Sequence, residues 1–117
     1  MAVVLLVTSD PDEAHRLASV LEDCGHIVLA EHTARSALAC LAKEPIDVLV
    51  CDEVPGTMAC QLVCNLRQHR RAHLPAVILA ALPGSSHEDV SALSDVHVLS
   101  APIEERAVIE AVSRAAF

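Results

Sequence analysis

Short apolar runs alternate with amphipathic stretches along the whole chain. A short unbroken apolar run is typical of a parallel strand covered on both faces, and a repeat of three to four residues indicates a helix. The pattern predicts five strands, at Ala2–Val7, His26–Ala30, Asp47–Cys51, Pro75–Leu82 and Val96–Leu99. Strands that alternate with helices through short connections predict an α/β fold, a doubly wound five-stranded parallel sheet with helices on both faces.

Residues suited to helix ends mark the helical segments. Asp10 is the expected N-cap of the first helix, where Glu13 completes a capping box, and Gly25 ends that helix. Thr33 caps a second helix, a third follows, a short one is predicted near residues 86–93, and a final one spans about 103–115. The apolar positions expected to face the core are Ala14, Leu17, Ala18, Leu21 and Cys24 in the first helix, Ala34, Ala37, Leu38 and Leu41 in the second, Ala59, Leu62, Val63 and Leu66 in the third, and Val108, Ile109 and Val112 in the last.

The composition fits one folded domain. The chain has 117 residues, and its hydrophobic fraction of 53% excludes a disordered protein. No apolar run approaches the ~18 residues of a membrane span, and the first apolar segment is expected to be a strand rather than a signal peptide, so we expect a cytoplasmic protein. The net charge of −8 argues against direct binding of nucleic acid or of an anionic membrane. The five cysteines are expected to be reduced thiols.

The segment "DVLVCDEVPG" supplies the candidate reactive group. Its apolar run places Asp52 where the third strand ends, and a Pro-Gly turn follows. Parallel sheets bind ligands at the carboxyl ends of their strands, so one crevice is expected among the loops after Val7, Cys51, Ala80 and Leu99. The loop "VTSDPDE" after the first strand contains no glycine, which excludes a glycine-rich nucleotide-binding loop.

The spacing of Cys60, Cys64, His69 and His73 is similar to that of a metal-ligand set. On a continuous helix each residue advances about 100°, so the two histidines fall on the side opposite the two cysteines. One tetrahedral site cannot use both pairs. We therefore expect no metal at this segment.

Two long segments, "VVLLVTSDPDEAHRLASVLEDCGHIVLAEHTARSALACLAKEPIDVLVCDEVPG" and "VHVLSAPI", carry a resemblance to a known family. They resemble a CheY-like response-regulator receiver domain over essentially the full chain. The resemblance implies the flavodoxin-like (βα)5 receiver fold, with residues 1–117 forming one domain of a larger signalling protein. Working members of the family accept a phosphoryl group on an aspartate at the end of the third strand, and Asp52 falls on that position.

The resemblance also identifies departures at the metal-binding part of the pocket. The family places two acidic residues after the first strand as Mg²⁺ ligands, and this chain has Thr8 and Ser9 there. Asp10 aligns one place later, where helix capping accounts for it. Hydroxyl groups carry no charge and are poor substitutes for carboxylates. We therefore expect Mg²⁺ binding to be weak or absent, and we expect no other cofactor.

Further departures affect the phosphoryl-binding and switch positions. The family's hydroxyl residue at the end of the fourth strand is Ala80 here, and its late lysine is Ala101. Neither alanine can bind a phosphoryl oxygen. The aromatic switch position on the fifth strand is Val98. Together these changes predict a degenerate receiver in which Asp52 is vestigial.

The expected function is a phosphorylation-independent interaction module without enzymatic activity. A protein partner or a second copy is expected on the face of the fourth predicted helix, the fifth strand and the final helix, or on the first and final helices. Val98, Arg106 and Glu110 are the candidate surface residues, and charge reversal at residues 70 and 71 is expected to have no effect. Two alternatives remain open, a receiver still phosphorylated on Asp52 and a thiol-based sensor using an exposed Cys60 or Cys64.

Overall fold

A parallel sheet forms the centre of the molecule. The computed structural model describes residues 2–52, 59–68, 74–80, 95–100 and 103–116. Within these ranges the strands are β1 (Val3–Val7), β2 (Ile27–Glu31), β3 (Val48–Cys51), β4 (Ala76–Ala80) and β5 (Val96–Ser100), and the helices are α1 (Pro11–Asp23), α2 (Ala34–Lys43), α3 (Ala59–Arg67) and α4 (Glu105–Ala116). The short helix predicted near residues 86–93 lies outside the described residues.

The strands are ordered β2-β1-β3-β4-β5, and each neighbouring pair is parallel. This order confirms the predicted doubly wound fold. The chain moves outwards from β1 to β2 and then returns to place β3 on the other side of β1. The topological switch point therefore lies between β1 and β3, where such sheets open a crevice at the carboxyl ends of their strands.

Two apolar layers cover the sheet, because successive strand residues point to opposite faces. Leu5 and Leu49 face α2 and α3, whereas Leu6 and Val50 face α1 and α4. Every residue of β3 and all of β1 except Val3 is buried. The continuous apolar runs of the sequence thus correspond to strands covered on both faces, as predicted.

Both predicted N-caps are confirmed. The Asp10 carboxylate accepts hydrogen bonds from the backbone N–H groups of Asp12 at 3.0 Å and Glu13 at 3.4 Å. The Glu13 carboxylate does not complete the predicted capping box but pairs with Arg16 at 2.7 Å. The reciprocal box occurs instead at the start of α2, between Thr33 and a serine three residues later.

Two details of the first βα unit differ from the sequence prediction. Cys24 follows the helical spacing, but α1 ends one residue earlier and this side chain is exposed rather than buried. Gly25 then turns the chain with a φ of +91°. His26 precedes β2 rather than starting it, and its buried Nδ1 accepts a hydrogen bond from the Ala2 N–H at 3.2 Å. Among the described residues, none of the helices has the length and apolar character needed to cross a bilayer.

Candidate functional site

Asp52 lies at the switch point of the sheet, directly after β3. Val7 pairs with Glu31 on one side and with Cys51 on the other, so the residues that follow these three strands lie at one level. The Asp52 N–H donates to the Val7 carbonyl at 2.8 Å, which extends the ladder by one bond and fixes the half-buried aspartate at the rim. The prediction that Asp52 directly follows the third strand is therefore confirmed.

Thr8 follows β1 beside Asp52 and is fully buried. Its Oγ1 accepts a hydrogen bond from the Asp10 N–H at 3.3 Å, and its carbonyl accepts one from Nδ1 of His32 at 2.9 Å. A carbonyl oxygen can only accept, so Nδ1 of His32 carries the proton in this contact. Thr8 thus shapes the turn from β1 into α1, and His32 joins the rim without having been predicted.

Ser9 and Asp10 complete the loop that leaves β1, and both are exposed. The Asp10 carboxylate is engaged with the first N–H groups of α1, where a negative charge also complements the helix dipole. Capping therefore accounts for this acid, as expected from the sequence.

The donors at the strand ends do not fit a Mg²⁺ site of the kind that the resemblance implies. Mg²⁺ prefers carboxylate oxygens and water in near-octahedral geometry. Of Thr8, Ser9 and Asp52, only Asp52 carries a carboxylate, and the buried Thr8 hydroxyl already accepts a hydrogen bond from the Asp10 N–H. Within the described part of the chain, no three His, Cys, Asp or Glu side chains are grouped so that they could hold a metal ion.

The remaining predicted pocket positions are described only in part. Ala80 is the last residue of β4 and pairs with Ser100 of β5, so its backbone lies at the same edge as Asp52. Ala101 and residues 53–58 lie outside the described residues. Of the four residues whose spacing is similar to that of a metal-ligand set, His69 and His73 also lie outside the described residues.

Arg16 links α1 to the segment that enters α4. Its guanidinium contacts Glu13 at 2.7 Å and Glu105 at 3.4 Å, and it donates to the Ile103 carbonyl at 3.5 Å. The hydrogen bond to Glu13 is the main cause that raises the pKa of Arg16. The Glu13–Arg16 spacing was visible in the sequence, but the contacts across 87 and 89 residues were not.

The candidate surface residues lie on two sides of the sheet. Arg106 and Glu110 form an exposed pair on α4, with Nε to Oε1 at 3.4 Å and side-chain exposures of 89% and 55%. Val98 is half-buried and packs against the layer that α2 and α3 cover, whereas α4 covers the other face. Val98 and the charged pair therefore do not form one continuous patch through their side chains.

Cys51 is buried in the same layer as Val98. Burial in this apolar layer raises the pKa of its thiol to about 12. A thiol that stays protonated at neutral pH is a poor nucleophile. The prediction that Cys51 points into the core is confirmed; the side chain of Cys60 is not described, and Cys64 is half-buried.

Comparisons with known proteins cover nearly the whole chain. The response regulator protein FleR of Pseudomonas aeruginosa is 33% identical over 116 residues, which are 97% of this chain and 24% of FleR. The chain thus spans about a quarter of the length of this relative. No family model matches the chain.

Solved structures share the same fold. The chemotaxis protein CheY4 of Vibrio cholerae superposes with a TM-score of 0.86 at 22% identity, covering 98% of both chains. A sensor protein from Polaromonas sp. JS666 gives a TM-score of 0.81 at 26% identity, covering 98% of this chain and 95% of the other.

Proposed function

Because the chain shares the fold of CheY-like receiver domains and is 33% identical to the response regulator FleR over 97% of its own length, we propose that it is a receiver domain and that it acts as an interaction module without phosphorylation of Asp52. Receiver domains interact with other proteins, and this chain spans about a quarter of FleR. We place it as one domain of a longer two-component signalling protein, in which another part produces the output.

The observation that carries this proposal is the loop after β1. Thr8 is fully buried with its hydroxyl engaged, Ser9 is exposed, and Asp10 caps α1. Phosphoryl transfer is catalysed mainly by positioning and by a metal ion that neutralises the developing charge. Asp52 therefore lacks the two neighbouring carboxylates that hold such an ion in the family.

The replaced carboxylates remove most of the electrostatic attraction that would hold a metal ion beside Asp52. At an effective dielectric of about 20, a carboxylate ~4 Å from a cation contributes about 4 kcal/mol of gross attraction per unit of cation charge. Two carboxylates are replaced by hydroxyls at Thr8 and Ser9. Ala80 and Ala101 replace two further groups that bind the phosphoryl oxygens in the family. The substitutions at these four positions support the proposal that Asp52 no longer accepts a phosphoryl group.

The partner surface that we favour is the outer side of α4, without Val98 of β5, which packs into the layer on the other face of the sheet. Three charged residues of α4 follow each other at four-residue spacing and so lie within an arc of about 80° around the helix axis: Arg106, Glu110 and Arg114. Glu105 points to another side, where Arg16 ties it to α1. The exposed mixed charges on the outer side suit a specific interface, since complementary charge selects partners more than it adds affinity.

Light scattering over a range of protein concentrations tests the proposal. The double variant Arg106→Glu/Glu110→Arg keeps the net charge but reverses the pair, and we expect it to weaken association. Glu22→Lys/Arg35→Glu is the matched control, because it reverses two exposed charges on α1 and α2. Asp52→Asn should associate like the unmodified protein. A change in association in Asp52→Asn would contradict the proposal, and an effect confined to the control pair would move the interface to α1 and α2.

A further inference from the structure

The β2 side of the sheet is an open edge. Among the described residues, β2 pairs with β1 alone, and it is much less buried than that nearly fully buried neighbour. Ile27 is 45% exposed and is the one large apolar side chain with such exposure among the described residues. The strand contains neither proline nor lysine, the residues that commonly protect sheet edges from pairing with another chain.

The hydrogen bonds of β2 identify the main-chain groups that face outwards. Ile27 donates its N–H to the Ala2 carbonyl, and the Glu31 carbonyl accepts from the Thr8 N–H. Alternate residues of a strand direct their main-chain groups to the same side. The N–H and C=O groups of Val28 and Ala30 therefore point away from β1, towards the open edge.

A groove of about 490 Å³ runs between this strand and α2. Its apolar lining comes from β2 and from Ala39 and Cys40 of α2, and carboxylates of Glu31 and Glu44 lie along it with Lys43. Burial raises the pKa of the Cys40 thiol, and the negative charges of Glu31 and Glu44 raise it further. Glu31, Glu44 and Cys40 all line this groove, so two acidic residues and part of its apolar wall share one surface.

We propose that the β2 edge and the adjoining groove bind an extended basic segment of a partner protein, with a lysine or arginine of that segment placed between Glu31 and Glu44. Added strands bind through main-chain hydrogen bonds and gain specificity from pockets for alternate side chains. Val28 and Ala30 supply the main-chain groups, and the groove supplies the charged pocket. The net charge of −8 favours the approach of a basic segment.

This surface differs from the one assigned to the proposed function. It lies on the strand at the opposite end of the sheet from β5 and does not involve Asp52, Arg106 or Glu110. A result on phosphorylation or on the α4 surface therefore leaves it unaffected, and the two proposals can fail separately.

Two synthetic peptides test the inference by ¹H–¹⁵N NMR titration of the whole chain. The first is acetyl-Thr-Lys-Val-Lys-Thr-amide, and the second replaces both lysines with glutamine. We expect shifts of the amide signals of β2 and α2, with the lysine peptide binding roughly threefold or more tightly, as expected for partly exposed ion pairs. The variant Glu31→Gln/Glu44→Gln should bind both peptides equally.

The control variant is Glu22→Gln/Glu104→Gln, which removes two exposed carboxylates that do not line the groove. It changes the net charge by the same amount, so it separates the groove carboxylates from the overall negative charge. It should retain the preference for lysine. The inference is overturned if neither peptide shifts the β2 signals at millimolar concentration, if both bind equally to the unmodified protein, or if the control loses the preference as well.

Discussion

The interiors of β1 and β3 differ from the residues that follow them, because the interiors are set by packing and the strand ends by chemistry. Both strand interiors are buried and apolar, and they pair with each other in the register that places Val7 beside Cys51. One residue further, Thr8 replaces an acid that the family uses, while Asp52 remains. The comparison teaches that burial selects this fold, whereas the chemistry of the family depends on side chains at the strand ends that the fold does not need.

The largest effect should come from the strand interior. Leu49 is fully buried between β1 and β4, so Leu49→Ala should lower the free energy of unfolding by about 2–5 kcal/mol through lost contacts and a cavity. Asp52→Asn, three residues later at the strand end, should change it by no more than about 0.5 kcal/mol. Urea unfolding of both variants measures the difference. Similar losses of unfolding free energy in the two variants would contradict the distinction between strand interior and strand end.

Restoring the acids should reveal what the strand end has lost. Thr8→Asp introduces a carboxylate at a fully buried position and should cost about 1–3 kcal/mol of stability. The double variant Thr8→Asp/Ser9→Asp should regain part of this stability when Mg²⁺ is added, because three carboxylates can then share the dication. Thermal unfolding with and without Mg²⁺ tests this. Equal stabilisation of the unmodified protein by Mg²⁺ would show that its present donors already suffice.

The buried Cys51 thiol predicts a loss of stability at alkaline pH. Its pKa rises to about 12 in the folded protein from a usual value of 9.0, so above pH 9 the unfolded chain releases a proton that the folded chain keeps. Stability from this group is complete below the usual pKa and should fall by about 1.4 kcal/mol per pH unit above it. Cys51→Val should flatten the decline. Superimposable pH profiles of the two proteins would disprove the assignment.

A smaller loss of stability is expected from Asp10, in the exposed part of the loop between β1 and α1. Asp10→Ala removes the N-cap of α1 and should cost about 0.5–2 kcal/mol. Asp10→Asn is the control, because an asparagine side chain can still accept the capping hydrogen bonds. Denaturant unfolding should show that the asparagine variant keeps most of the stability. If Mg²⁺ raised the stability of the unmodified protein but not of Asp10→Ala, Asp10 would be a metal ligand rather than a cap.

The predictable parts of the molecule are those that depend on local sequence. Apolar runs located all five strands, and capping residues located the starts of α1 and α2. The prediction was wrong at Cys24. Its spacing continues the helical repeat, but α1 ends at Asp23 and the backbone turns at Gly25. Helical periodicity alone does not determine where a helix stops.

The parts that could not be predicted depend on contacts between distant residues. Arg16 reaches Glu105 and the Ile103 carbonyl only because α1 and α4 pack on the same face of the sheet. The openness of β2 depends on its place at the end of the strand order, which the apolar pattern does not encode. The pocket positions were predicted from the family resemblance and not from the local apolar pattern.

Titration with beryllofluoride and Mg²⁺, followed by ¹H–¹⁵N NMR, tests the central claim most directly. Beryllofluoride mimics a phosphoryl group on an aspartate that is able to accept one, and binding it requires the metal and the surrounding donors. We predict no shifts of the signals of Thr8, His32 and Asp52 beyond those that Mg²⁺ and fluoride cause alone. Saturable shifts centred on Asp52, abolished in Asp52→Asn, would show that the acceptor still works and would contradict the account.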